Sequence, residues 1–463
     1  MPNFESPFLK ALSARGFIHQ CTDDAGLDAL LKQQTPVPAY IGFDCTAPSL
    51  HVGSLLQIMA LRWLQKNGHK PIVLMGGGTT KVGDPSGKDE SRKLLDDAGI
   101  QKNMDGIKTV FSKFIEFENS FDAKSNKAFM VNNADWLDGL KYIKFLRDYG
   151  RHFSVNRMMS MDSVKLRLER EQHLSFLEFN YMILQAYDFV ELNKKYQCRL
   201  QIGGSDQWAN IINGLDLWVC HTHDRMTSKK KRDLEIDTSA QEISGENHKI
   251  LVGYIKDVVA PHINNNHLFG LTTPLITTSS GSKMGKTSAG AVWLNADMTS
   301  PYDYWQFWRN TEDGDVGRFL SFFTELSDAE ITALKALQGA DINKAKIVLA
   351  NEATKLAHGE AAAKAAEETA RKTFEQGGVG GELPVFEVPS SKLKEGVELF
   401  ALLFDAKLAT SKGEARKQVQ QGAAYINGEQ IKDEKYKVTL ADVKGEGIKL
   451  SKGKKNHVLV KAV

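Results

Sequence analysis

The stretch Tyr40-Ile-Gly-Phe-Asp44-Cys-Thr46-Ala-Pro48-Ser-Leu-His51-Val-Gly53-Ser54 reads as a strand that stops, a turn at Pro48 and a helix that opens near His51. Residues 39–43 form the strand in this reading. Residues 52–67 form an amphipathic helix that ends at Gly68. A second strand over 71–75 runs into Gly76-Gly77-Gly78. Further strands are expected at 128–132 and 199–202, with helices near 102–117, 140–149, 175–193 and 205–220. Such alternation is the pattern of an α/β domain with a mostly parallel sheet.

Beyond that unit the composition changes. Residues 221–267 carry Lys229-Lys230-Lys231-Arg232 and Asn264-Asn265-Asn266 and read as a surface insertion, solvated or in contact with RNA. Residues 271–278 resume as a strand, followed by a Ser/Gly/Lys loop. The stretch 301–376 is rich in Ala, Leu, Lys and Glu and reads as helical. The expected organisation is a domain over 1–295, a helical domain over 296–376, a linker over 377–394 and a small α+β domain over 395–463. Gly-Gly-Val-Gly-Gly and two prolines suggest the linker.

Whole-chain composition excludes several classes. With 463 residues, 42% hydrophobic and 25% charged, the chain is neither disordered nor a single small core. Lys+Arg (59) and Asp+Glu (57) nearly balance, although residues 395–463 hold 13 basic against 9 acidic side chains. Cys21, Cys45, Cys198 and Cys220 stand singly, which argues against a disulfide framework or a Cys-rich metal site. No secretory signal or bilayer-length apolar run is present, so a soluble cytoplasmic protein is expected.

Five constellations could carry chemistry. A helix opening near His51 offers unpaired N–H groups and the positive end of the peptide dipoles, which suit phosphate. Thr46 and His51 could donate to phosphate oxygens, and Gly53 permits close approach; a plain capped helix is the alternative. The loop Gly281-Ser-Lys283-Met-Gly285-Lys286-Thr287 is one residue short of a P-loop. Its two lysines would clamp a polyphosphate, or simply sit on an exposed loop. Residues 176–190 form a helix apolar around much of its circumference, yet Tyr181, Gln185 and Asp188 share one face. Buried polar groups need partners, from the protein or from a ligand. Gln201-Ile-Gly203-Gly204-Ser205-Asp206-Gln207 is a strand end where ligands bind in α/β sheets, with Asp206 able to accept from a ribose. Val82-Gly83-Asp84-Pro85 offers one carboxylate for an ammonium group, or is a turn.

Taken in order along the chain, these motifs resemble bacterial-type tyrosyl-tRNA synthetases, within the class I aminoacyl-tRNA synthetases. The segment from Pro301-Tyr-Asp-Tyr-Trp-Gln-Phe-Trp308 onward resembles the family's helical anticodon-side domain. The tail Ser411-Lys412-Gly-Glu-Ala-Arg416-Lys417 to Asn427-Gly428 resembles an S-four-type RNA-binding module. Two departures stand out: Ser54 occupies the place of a second histidine, and the clamp reads Lys-Met-Gly-Lys-Thr rather than Lys-Met-Ser-Lys-Ser.

The resemblance implies a Rossmann-like nucleotide-binding fold that activates tyrosine with ATP and Mg2+, then charges tRNA(Tyr). It implies that Thr46, His51, Lys283, Lys286, Lys88 and Arg92 act on the phosphates. Tyr40 and Asp188 would reach the phenolic hydroxyl, Asp84, Tyr181 and Gln185 the ammonium, and Gln207 the carboxylate. Gly42, Asp44, Gly53, Ser54, Gly203, Gly204, Asp206 and Thr287 would complete the ATP site, and Lys412, Arg416 and Lys417 would contact RNA. A homodimer is implied, and no protein metal site is marked. Competing readings are a tryptophanyl-tRNA synthetase, a non-catalytic RNA-binding relative and, more remotely, a P-loop NTPase.

Overall fold

The computed structural model describes residues 2–33, 35–85, 95–233, 245–279, 281, 284, 286–287, 290–374, 384–445, 447–453 and 456–463. The chain forms two compact units, Met1–Trp293 with Gly317–Ile331, and Leu294–Val316 with Thr332–Val463.

The first unit is built on a six-stranded sheet in the order β1-β6-β5-β2-β3-β4. Its strands are β1 (Gln20–Cys21), β2 (Pro38–Asp44), β3 (Lys70–Gly76), β4 (Phe129–Asn132), β5 (Leu200–Gly204) and β6 (Phe269–Thr273). β2 to β6 are parallel, and only the short edge strand β1 is antiparallel. β3 and β5 are buried along their whole length, as expected of parallel strands covered on both faces. The chain leaves β2 toward β3 on one side and reaches β5 on the other. The sheet therefore has its switch point between β2 and β5, and ligands of open α/β sheets bind at the strand ends there. Register brings Asp44, Gly76 and Asn132 level at those ends, because Asp44 pairs with Gly76 and Met75 with Asn132.

The second unit packs the helices Pro301–Arg309, Ile342–His358 and Glu360–Phe374 together. Its tail has a five-stranded sheet flanked by Leu399–Asp405 and Lys412–Gln420, around a core that includes Leu399, Leu403, Val419 and Leu450.

Three expectations are corrected. Residues 384–394 are not linker: Val385–Val388 pairs in parallel with Asn456–Ala462, and Ser390–Glu395 is helical. Pro384 and Pro389 flank that edge strand, a position proline tolerates. Residues 317–331 cluster with the first unit rather than with the helical region. The helix expected near 205–220 runs on to Asp233, into the stretch read as an insertion; the cations of the basic run at 229–232 sit at its C-terminal end, where the helix dipole favours them. Residues 245–266 are also helical.

Candidate active site

At the carboxyl ends of β2 and β5 lies a cavity of about 380 Å³, within the usual range of small-molecule sites. Fifteen of the residues singled out from sequence line it. From β2 and the turn after it come Tyr40, Gly42, Asp44, Thr46, His51, Gly53 and Ser54. Asp84, Tyr181, Gln185 and Asp188 form another part of the wall, and Gly203, Gly204, Asp206 and Gln207 a third. Lys88, Arg92 and Lys283 lie outside the described residues. Of Lys286 and Thr287 only the backbone is described, in a short hairpin with Gly290–Ala291.

That hairpin settles the P-loop alternative, since no helix follows the lysine. It also returns the chain to the phosphate-suited helix start. The Val52 amide donates to the Val292 carbonyl at 3.0 Å, and His51 bridges Trp293, whose indole meets the imidazole edge-on. A Cβ on Gly53 would stand 3.0 Å from the Met284 carbonyl and 2.6 Å from His51 Cε1, so a larger residue would push the His51 ring from its place. His51 Nδ1 accepts from the Gly53 amide at 3.0 Å. The ring proton therefore resides on Nε2, which makes that atom a donor.

At one end of the cavity the polar groups are carboxylates and their partners. Asp44 accepts from Thr79 Oγ1 at 2.9 Å and from the Tyr181 hydroxyl at 3.2 Å. Asp84 accepts from Gln207 Nε2 at 3.2 Å, and Gln185 Oε1 from Asn210 Nδ2 at 3.0 Å. Two carboxylates with a phenol and two amides form a site suited to an ammonium group.

The other polar end is deeper. Asp188 is only 2% exposed; it accepts from Asn133 Nδ2 at 3.0 Å and from Trp136 Nε1 at 2.7 Å. Burial pushes its carboxyl up to about 7, against the opposing pull of those two donors. Burial, aided by the charge of Asp188, also holds the Tyr40 phenol protonated. Among the described residues the Tyr40 hydroxyl and Gln201 Oε1 are buried with no hydrogen-bond partner, and both residues line the cavity. Such orphans are costly, and a polar ligand would relieve them.

Sequence reasoning missed Asn133, Trp136, Thr79 and Gln201. The signal for Asn133 was an asparagine just past β4 at the sheet's ligand-binding edge. Gln201 faces Tyr40 across the β2–β5 register, a pairing visible only once the strand order is known. Among the described residues no cluster of three or more His, Cys, Asp or Glu could hold a metal ion.

Comparison with known proteins adds a family. The model described as tRNA synthetases class I (W and Y) matches residues 32–234 and 254–375. A Tyrosine–tRNA ligase SYY-like C-terminal domain matches 383–460. The chain is 54% identical over 464 residues to the tyrosine–tRNA ligase of Rhizobium meliloti, covering 100% of both. It is also 54% identical over 461 residues to that of Caulobacter vibrioides, covering 100% of this chain and 99% of the relative. A C-terminally truncated mitochondrial tyrosyl-tRNA synthetase of Aspergillus nidulans superposes with a TM-score of 0.62 at 30% identity, over 80% of this chain and 95% of that one.

The raised Asp188 carboxyl has a thermodynamic consequence. The folded protein binds this proton more tightly than the unfolded chain, whose value is near the ordinary 3.8. Stability therefore falls as pH rises from about 4 to about 7, by up to about 4 kcal/mol from this group. Denaturation curves at pH 5 and pH 8 check it: the loss of stability between the two is smaller in Asp188→Asn, which has no carboxyl to titrate, than in the parent.

Proposed function

The chain belongs to the class I tyrosyl-tRNA synthetases and has tyrosine–tRNA ligase activity, and from that premise we propose how its residues divide the work. ATP, L-tyrosine and tRNA are the substrates of this family. Activation joins the tyrosine carboxylate to the α-phosphate and breaks the bond to pyrophosphate; transfer then moves tyrosine to the terminal ribose of tRNA(Tyr). Neither step needs a protein nucleophile, so catalysis is positioning and electrostatic stabilisation.

Asp188 and Tyr40 read the phenolic hydroxyl, and Asp84, Tyr181 and Gln185 hold the ammonium; Asp44, expected in the ATP site, accepts from the Tyr181 hydroxyl and lies at this end as well. Gln207 lies toward the carboxylate. The single observation that carries this reading is the deep Asp188 carboxylate beside the orphaned Tyr40 hydroxyl, at one end of a cavity whose other end is anionic. Phenylalanine would bring no hydroxyl to those buried groups, and the missing hydrogen bonds penalise it. Full-length identity to tyrosine–tRNA ligases supports a phenol over an indole.

For ATP, Thr46 and His51 Nε2 donate to the leaving phosphates, and Lys283 and Lys286 close over them, with Lys88 and Arg92 meeting the same charge. Gly42, Gly53, Ser54 and Thr287 complete the nucleotide's surroundings. Gly203, Gly204 and Asp206 take the ribose. The described residues offer no metal cluster, so Mg2+ would arrive on the polyphosphate and no step here runs through it. Lys412, Arg416 and Lys417, on the Lys412–Gln420 helix and its partners in the tail, contact tRNA phosphates. We place the enzyme in the cytoplasm; among the described residues no helix is long and apolar enough to cross a membrane.

A homodimer is supported by an apolar surface on the short helices between 142 and 179. Ile143 is 74% exposed and Phe176 69%, and Tyr142, Val155, Leu166 and Leu168 are exposed with them. Where exposed apolar side chains join into one patch, they mark an interaction site, and here several fall on neighbouring short helices.

Two experiments test these assignments. In pre-steady-state kinetics, His51→Ala lowers the rate constant of tyrosyl-adenylate formation by about 100-fold with little change in ATP affinity. A loss confined to ATP binding contradicts the phosphate assignment. For the dimer, Phe176→Asp converts the protein to a monomer in analytical ultracentrifugation; an unchanged mass contradicts that interface.

A further inference from the structure

Thr46 lies on irregular backbone that leads into His51: residues 45–50 belong to no helix or strand, and His51 caps the turn Val52–Ser54. Side chains on such a segment are aimed only as well as the segment is held. Two anchors flank the Cys45 residue. Its amide donates to Thr80 Oγ1 at 2.8 Å, and its carbonyl accepts from Asn103 Nδ2 at 2.8 Å. Asn103 is 8% exposed and lies on the helix Asp97–Phe111.

Three residues further along the same helix face is Gly106. A Cβ there would stand 1.9 Å from the Pro48 carbonyl oxygen and 2.8 Å from its carbon. Both are backbone atoms and cannot swing away. Glycine weakens a helix interior relative to alanine, so its presence needs a reason, and this contact supplies one. At the helix end, Phe111 meets Phe43 of β2 edge-on with ring centroids 4.9 Å apart. The helix thus follows the chain from Phe43 to Pro48, and none of its residues lines the cavity.

We propose that Asn103 and Gly106 are positioning residues for adenylate formation. They hold the 45–50 segment at the depth where Thr46 and His51 meet the polyphosphate. The inference rests on the reading of Thr46 and His51 as phosphate donors. Neither residue touches the tyrosine end of the cavity, so the two substrates should respond differently when either is changed.

Gly106→Ala and Asn103→Ala are compared with the parent by pre-steady-state adenylate formation and by equilibrium L-tyrosine binding. Leu31→Ala, a buried change away from the cavity, controls for general loss of stability. The expected result is an adenylate rate constant about 10- to 100-fold lower at saturating ATP in both variants. Tyrosine affinity stays within about twofold of the parent, and Leu31→Ala keeps the parent rate. If Gly106→Ala does not fold, Asn103→Ala alone decides. Full rates in the helix variants, with Thr46→Ala and His51→Ala slow, overturn the buttress and leave the phosphate reading standing. Parent rates in Thr46→Ala and His51→Ala overturn both. Equal loss of tyrosine binding and adenylate formation shows a general structural role and also overturns the proposal.

Discussion

One buried amide ties the two polar ends of the cavity together. Asn133 Oδ1 accepts from the amides of Gly78 and Thr79, at 2.8 and 3.4 Å. Its Nδ2 donates to Thr79 Oγ1 at 3.1 Å and to Asp188 Oδ2 at 3.0 Å. Both donors and the acceptor are used, so the side chain has one orientation. Thr79 passes the connection to Asp44, and Asp44 to the Tyr181 hydroxyl. The gap between the ammonium-holding end and the hydroxyl-reading end is therefore set by rigid parts. Asn133 directly follows β4, Thr79 follows β3, and Asp44 ends β2. Adjacent strands sit about 4.8 Å apart, a spacing the backbone ladder fixes.

Holding such a network costs stability. Asp188 keeps a carboxylate where burial disfavours its charge, and Tyr40 and Gln201 keep polar atoms without protein partners. Trp136 and Asn133 offset part of the cost by donating to both Asp188 oxygens. A purely structural site would have satisfied the remaining groups or replaced them with apolar ones. Leaving them facing a cavity makes sense when a ligand completes them. The phosphate side follows another logic, in which backbone amides, a fixed histidine tautomer and close glycine contacts shape the wall.

Much of this was legible in the sequence because its carriers are local. The strand-turn-helix reading of residues 40–54 held, as did the polar stripe of Tyr181, Gln185 and Asp188 on an apolar helix, since chain spacing alone decides them. Asn133, Trp136 and Gln201 were not legible because their roles depend on strand order and on partners some 50 or more residues away. The linker reading of 384–394 failed for a related reason. Two prolines beside glycines look like a tether, and only the distant strand Asn456–Ala462 makes that stretch part of a sheet. The continuation of the helix past residue 220 was not legible because charge masks helical continuity when no apolar stripe accompanies it.

The central claim is that the buried Asp188 carboxylate recognises the hydroxyl of the amino-acid substrate. It is tested most directly by the relative rates of amino-acid-dependent ATP–pyrophosphate exchange with tyrosine and phenylalanine, in the parent and in Asp188→Ala. The account predicts a strong preference for tyrosine that largely disappears in the variant. A variant that keeps the parent's preference would contradict it.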